Sequence, residues 1–281
     1  MNFLIQDFLK EALKEDIGRG DLARELIKGE TKAKVISKSK GIIGGIKYIK
    51  EFEKLADVKI MPLKNDSEEY EEKEVILTIQ GNAADILTIE RTLLNILQHA
   101  SGIASNAREF VNKANKKIKI LDTRKTRPLL RIFEKYAAKC GGVTNHRLGL
   151  DDCLMLKDTH LALFPSITQA IKEARKKIPF TTKIEIECET FDMAIEAIKA
   201  GADIVMCDNM NFEEIKKVVE FKNSHFPQTL IEASGNVTLE NIEEYIKTGV
   251  DAISSGAIIH QATFKDFSMK IDKGGENFNR R

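Results

Sequence analysis

From residue 118 onward the chain repeats one pattern: a short apolar run, a polar cluster, then a helical segment. The runs lie at 118–121, 153–156, 184–186, 204–206, 230–231 and 252–253. Helical intervals at 167–177, 190–200, 211–222 and 238–248 separate the later ones. Strands that alternate with helices at this spacing form right-handed βαβ units, and hence a parallel α/β sheet. Such a sheet ends as an open doubly wound layer or as a barrel whose strand ends converge on one mouth. Here six successive runs end in charged or hydroxyl residues, which favours convergence. With 281 residues in all, the chain is too short for a full eight-fold barrel beside a large second domain. A small or incomplete α/β barrel over residues 116–273 is the expectation.

The earlier part of the chain has a different texture. Phe3, Leu4, Phe8, Leu9, Ala12 and Leu13 have helical spacing, whereas Ala33, Val35 and Ser37 alternate as in a half-buried strand. A helix is expected over 46–56 and short strands at 58–62 and 74–79. The segment 65–73 carries five acids and no apolar side chain but Tyr70, and reads as an exposed loop. Residues 83–115 read as helix, broken near Ser101-Gly102. Residues 1–115 thus form an α+β unit, and 274–281 a flexible tail.

Composition excludes several functions. Lys and Arg total 44 against 43 Asp and Glu, a net charge of +1, which argues against a nucleic-acid partner. Asp7 interrupts the first apolar run before it reaches signal-peptide length. No stretch approaches the ~18 apolar residues that would cross a membrane. Cys140, Cys153, Cys188 and Cys207 are too scattered for a disulfide framework or a zinc site. A cytoplasmic protein is expected.

The near-zero charge conceals a separation. Between Arg108 and Arg147 there are twelve Lys or Arg against three acids. Lys113, Lys116, Lys117 and Lys119 read as a solvated helical face. Arg124 and Lys125 stand just past an apolar strand, at the sheet edge where ligands bind, and His146, Arg147 and Lys157 lie in the same α/β segment. Converging cations of this kind hold a small polyanion or form ordinary ion pairs. Glu187 and Asp208 each follow a strand and fall on neighbouring strand ends. They suit a Mg²⁺ shared with substrate phosphates, a positive charge developing on a sugar carbon, or a plain pairing with lysine. Ser234-Gly235 and Ser255-Gly256 follow the last two strands, where small residues with free amides can cradle a phosphate. His160 and His260 read as structural hydrogen-bonding groups.

Taken together, several motifs carry a family likeness: Asp122-Thr123-Arg124-Lys125-Thr126, Glu134-Lys135-Tyr136-Ala137, Cys140-Gly141-Gly142 with Asn145-His146-Arg147, and Lys157-Asp158 with His160. Glu185-Ile186-Glu187, Asp208-Asn209-Met210, Ala233-Ser234-Gly235 and Ser255-Gly256 extend it. So do Glu15-Asp16, Gly20-Asp21 and Glu90-Arg91-Thr92-Leu93-Leu94-Asn95. In this order, over nearly the whole chain, they resemble the quinolinate phosphoribosyltransferases, or carboxylating nicotinate-nucleotide pyrophosphorylases. The resemblance implies an N-terminal α+β open-faced sandwich, which also recruits the last strand, and a C-terminal incomplete α/β barrel. It implies transfer of phosphoribose from phosphoribosyl pyrophosphate to quinolinate with decarboxylation, for NAD biosynthesis. Quinolinate would be held by Arg91, Arg124, His146, Arg147 and Lys157. Lys125, Glu187 and Asp208 would be catalytic. Phosphoribosyl pyrophosphate would meet Lys125, Lys157, Glu187, Asp208, Ser234, Gly235, Ser255 and Gly256. Mg²⁺ would meet Glu187 and Asp208 directly or through water. The resemblance further implies a homodimer or higher oligomer, with Arg91 donated across the interface.

The chain departs from the family pattern at Thr159, Val143, Arg127 and Leu129, none of which removes a charge. Two other readings stand beside this one. The first is a related phosphoribosyltransferase-like protein with another acceptor, of the kind linked to molybdate transport operons. The second is a non-catalytic binding protein on a barrel scaffold, which would not need both strand-end acids.

Overall fold

A computed structural model of the chain describes residues 2–115 and 117–272. The expected tail over 274–281, and Lys116, lie outside the described residues. Helix α1 (Asn2–Ile17) buries Ile5 and Leu9. It is followed by β1 (Glu30–Ser37), β2 (Gly41–Ile42), α2 (Ile46–Ile49), β3 (Val58–Pro62), β4 (Glu69–Tyr70) and β5 (Val75–Asn82). The long helix α3 (Ala83–Ala114) comes next. Then β6 (Lys119–Leu121), α4 (Arg131–Cys140), β7 (Leu154–Leu156), α5 (Asp158–Leu161) and α6 (Ile167–Lys177) lead to β8 (Ile184–Cys188). The rest are α7 (Phe191–Lys199), β9 (Ile204–Asp208), α8 (Phe212–His225), β10 (Leu230–Ser234), α9 (Ile242–Lys247), β11 (Ala252–Ser254), α10 (Ala257–His260) and β12 (Phe267–Ile271).

The chain divides into two compact units. One ends at Ser105 and takes the chain up again from Thr263; the other is Asn106–Ala262. The division falls inside α3, before the expected 115/116 limit, and that helix is continuous where a break was expected at Ser101-Gly102. Gly102 serves packing: a Cβ there would lie 2.2 Å from the Thr263 carbonyl oxygen.

The first unit is built on an antiparallel sheet ordered β12-β1-β5-β3. Ala33, Val35 and Ser37 face its core, as their alternation predicts. The acidic segment 65–73 is not wholly an exposed loop. Tyr70 is buried on β4, which pairs with β2 across Gly41, where a side chain would collide with the Tyr70 hydroxyl.

The second unit is a six-stranded parallel sheet ordered β6-β11-β10-β9-β8-β7, with β6 and β7 as its edges. Thr144 adds one parallel bridge to Leu121 beside β6. This is an α/β barrel left open. Its strands sort their residues by alternation. Ile184, Ile186, Cys188, Val205, Cys207, Ile231, Ala233 and Ile253 share one face and are buried. Glu185, Glu187, Met206, Asp208, Glu232 and Ser234 share the other. The acids that interrupt the apolar runs thus form a polar inner face. Among the described residues no helix is long and apolar enough to cross a membrane.

Candidate active site

A cavity of about 470 Å³ opens at the C-terminal ends of the second unit's strands. Its lining brings together Arg124, Lys125, His146, Arg147, Lys157, Glu187, Asp208, Ser234, Gly235, Ser255 and Gly256. Arg91 is exposed on α3 in the other unit and does not line it.

The loop after β6 is fixed from below. Asp122, fully buried, is ion-paired with the equally buried Lys135 of α4. It also accepts from Asn145 Nδ2 at 2.5 Å and from the His146 amide at 2.9 Å, and Lys135 Nζ donates to the His146 carbonyl at 2.9 Å. Burial pushes the Asp122 carboxyl up and the Lys135 ammonium down; their mutual attraction opposes both shifts, and the Asn145 and His146 donors further oppose the rise at Asp122. One buried pair therefore holds the strand end carrying Arg124 and Lys125 against the segment carrying His146 and Arg147.

The cations converge. Arg147 is anchored by donating to the Cys153 carbonyl at 3.0 Å. Burial, with Arg147 and Arg131 nearby, draws the Arg124 guanidinium below its usual range. It stays charged, since guanidinium does not release its proton at accessible pH. Its Nε is buried with no hydrogen-bond partner among the described residues. Crowded like charges and an orphaned donor are what an anion would relieve. The Lys157 ammonium is ion-paired to Glu187 on the neighbouring strand.

The acids stand where alternation puts them. Glu187 on β8 and Asp208 at the end of β9 point to the inner face. Asp208 accepts from Asn209 Nδ2 at 2.8 Å. Below, His146 Nε2 lies 3.2 Å from Oε2 of both Glu185 and Glu232. Burial alone would lower this imidazole, but the hydrogen bonds and charges of the two glutamates outweigh it and raise it to about 10.

The late strands supply small residues at close quarters. A Cβ on Gly256 would sit 2.7 Å from Lys125 Cδ. Gly235 is left-handed (φ 92°), and a Cβ there would lie 2.4 Å from Asn209 Oδ1. The Ser255 hydroxyl donates to the Val237 carbonyl at 2.8 Å, so it is already engaged in the fold.

Three neighbours escaped the sequence reading. Arg131 begins α4, a helix whose apolar periodicity is masked because Glu134 and Lys135 point inward with Phe133 and Ala137. Glu232 follows only a two-residue apolar run, and its charge suggested a strand end when it belongs to the buried inner face. His260 lines the cavity, whereas a purely structural role was expected. His160 does serve structure, its Nδ1 accepting from the Lys157 amide at 3.1 Å. Arg127, one of the departures, is paired with the buried Glu134 at 2.6 Å.

The family models for the N-terminal and C-terminal domains of quinolinate phosphoribosyl transferase match residues 21–101 and 103–270. The probable nicotinate-nucleotide pyrophosphorylase (carboxylating) of Bacillus subtilis is 40% identical over 283 residues, covering 99% of this chain and 97% of that protein. Its counterpart in Methanothermobacter thermautotrophicus is 38% identical over 275 residues, covering 95% and 99%. Among solved structures, the nicotinate-nucleotide pyrophosphorylase of Francisella tularensis superposes with a TM-score of 0.91 at 34% identity over 97% of each chain. Agreement along both units, in sequence and in fold, shows that the chain belongs to the quinolinate phosphoribosyltransferase family.

Proposed function

We propose that this protein transfers the phosphoribosyl group of phosphoribosyl pyrophosphate to the ring nitrogen of quinolinate. The 2-carboxylate leaves as CO₂, and nicotinate mononucleotide and pyrophosphate are formed, a step of NAD biosynthesis. The observation that carries this reading is one cavity lined by Arg124, Arg147, Lys157 and Lys125 together with Glu187 and Asp208. A dicarboxylate needs the first group; a sugar carbon that becomes cationic needs the second.

Arg124, Arg147 and Lys157, with His146 beside them, hold the two carboxylates and aim the ring nitrogen at the anomeric carbon, so their contribution is orientation. Glu187 and Asp208 stabilise the positive charge that develops on the ribose as pyrophosphate departs. Lys125 lies against Gly256, where it offsets the negative charge of the leaving group. Ser234, Gly235 and Gly256 receive the 5-phosphate, and Ser255 supports that loop.

The donor set suits Mg²⁺ bound with the pyrophosphate. Glu187 and Asp208 offer hard carboxylate oxygens in the cavity, and the single hydrogen bond Asp208 accepts among the described residues leaves it lone pairs to share. They would hold the ion directly or through water, and it would draw negative charge off the leaving group.

Arg91 comes from a second copy of the chain on this reading. Chains with Arg91→Ala and chains with Lys157→Ala, each impaired alone at low quinolinate, would regain activity when mixed. The deciding assay supplies quinolinate, phosphoribosyl pyrophosphate and Mg²⁺ and looks for nicotinate mononucleotide. Turnover with nicotinate and none with quinolinate would sink the assignment.

A further inference from the structure

In the loop after β10, Ser234, Gly235, Asn236 and Val237 all line the cavity. Gly235 and Asn236 are both left-handed, at φ 92° and 48°. Three successive carbonyls of this loop are tied down. Ser234 accepts from the Asn209 amide at 3.1 Å, Gly235 from the Tyr245 hydroxyl at 2.9 Å, and Asn236 from Asn241 Nδ2 at 2.9 Å. No peptide bond among the described residues is cis, and a trans peptide sets its N–H opposite its C=O. The amides of Gly235, Asn236 and Val237 are therefore directed away from these ties, and none has an acceptor among the described residues. Successive free amides of this kind form a concavity that binds an anion.

The middle tie comes from behind the cavity wall. Tyr245 stands on α9, is 6% exposed and does not line the cavity. Its ring meets Phe212 edge-on, with centroids 4.9 Å apart and planes at 85°, which fixes the direction of the hydroxyl. A buried phenol needs a hydrogen-bond partner in any fold, and many acceptors would serve. This one engages the carbonyl of a left-handed glycine, the residue type that gives a peptide the most freedom to turn over. With the Gly235–Asn236 peptide turned over, a carbonyl oxygen instead of the Asn236 amide would face the cavity, and it would repel a phosphate. The Tyr245 hydroxyl decides between the two orientations.

We propose, resting on the function given above, that Tyr245 is a positioning residue for the 5-phosphate of phosphoribosyl pyrophosphate. Its hydroxyl holds the Gly235–Asn236 peptide in the orientation that turns the Asn236 amide toward the phosphate. The 5-phosphate lies at the far end of the ribose from the bond that breaks. The hold therefore acts on the affinity for the donor and leaves the chemical step unchanged.

Tyr245→Phe removes the hydroxyl and keeps the ring against Phe212. In initial-rate assays with quinolinate and Mg²⁺, the KM for phosphoribosyl pyrophosphate rises roughly 10-fold, the scale of one lost hydrogen bond, while kcat holds. Two inhibitors that compete with the donor locate the effect. Ribose 5-phosphate, which carries the same phosphate, weakens by the same factor. Inorganic pyrophosphate, which takes the leaving-group end beside Lys125, inhibits as before. Unchanged inhibition by ribose 5-phosphate overturns the proposal, whatever happens to Tm, because Tyr245 is then only a satisfied core tyrosine. So does equal weakening of both inhibitors, or a fall in kcat at constant KM. Should Tyr245→Phe not fold, the wild type still decides: ribose 5-phosphate should shift the amide-proton resonance of Asn236, and an unmoved resonance overturns the proposal. The two readings fail separately. A wild type that makes no nicotinate mononucleotide from quinolinate refutes the function itself, whereas a productive wild type whose variant shows no selective shift refutes only the role of Tyr245.

Discussion

The Lys157 ammonium donates to Glu187 Oε2 between adjacent strands β7 and β8, so a cation assigned to the acceptor and an acid assigned to the ribose neutralise each other before substrate arrives. The lysine side chain is 42% exposed, and such a pair adds little to stability. Its weight falls on binding. Lys157→Ala should raise the quinolinate KM by roughly 10- to 100-fold, the cost of one lost charged hydrogen bond, with little change in Tm. Initial-rate kinetics beside thermal melting decide it; a large drop in Tm at constant KM would make the pair merely structural.

Arg124 is the cation most constrained by its surroundings, with a buried, unpartnered Nε and two other guanidiniums nearby. Its removal relieves repulsion in the empty protein, so Arg124→Ala should not destabilise the fold. It should nonetheless lower kcat/KM by about 100-fold or more, since an oriented charged donor is lost from the transition state. Arg124→Lys should recover only part of this, because a point charge cannot replace the planar fork. An unchanged kcat/KM in Arg124→Ala would remove the residue from the site.

The residues that could be read ahead of the structure are those at strand ends. Arg124, Lys157, Glu187 and Asp208 each follow an apolar run, and a parallel sheet brings such positions to one mouth. What could not be read is charge turned inward. Glu134 and Lys135 hid α4, and Glu185 and Glu232 sit on the inner face one alternation below the mouth. Composition marks both as surface residues, and only tertiary pairing with Arg127, Asp122 and His146 makes their burial tolerable. The continuity of α3 was likewise illegible, because Gly102 answers to the carbonyl of Thr263, far away in the chain.

The buried Asp122–Lys135 pair gives a stability prediction. Removing one partner strands a charge in the core, which costs about 3–5 kcal/mol, whereas removing both costs less. Lys135→Met should therefore lower the urea midpoint markedly, and Asp122→Asn combined with Lys135→Met should lose less than the two single changes together. Additive losses in this cycle would show that the two side chains do not act as a pair. Surviving Lys135→Met protein should also bind quinolinate more weakly, since the pair fixes the segment that carries His146 and Arg147.

His146 sets a pH dependence whose direction follows from its shift. The imidazole is raised from an ordinary value of about 6.5 in the unfolded chain. In the fold, with Glu185 and Glu232 against it, it is raised to about 10. A group raised on folding lends stability that is complete below the unfolded value and is lost as pH climbs through the folded one. Wild-type stability should thus decline between about pH 6.5 and about pH 10, and His146→Gln should lack that share of the decline. Urea midpoints for both proteins across this window test it. Parallel curves would mean that His146 takes up no extra proton on folding.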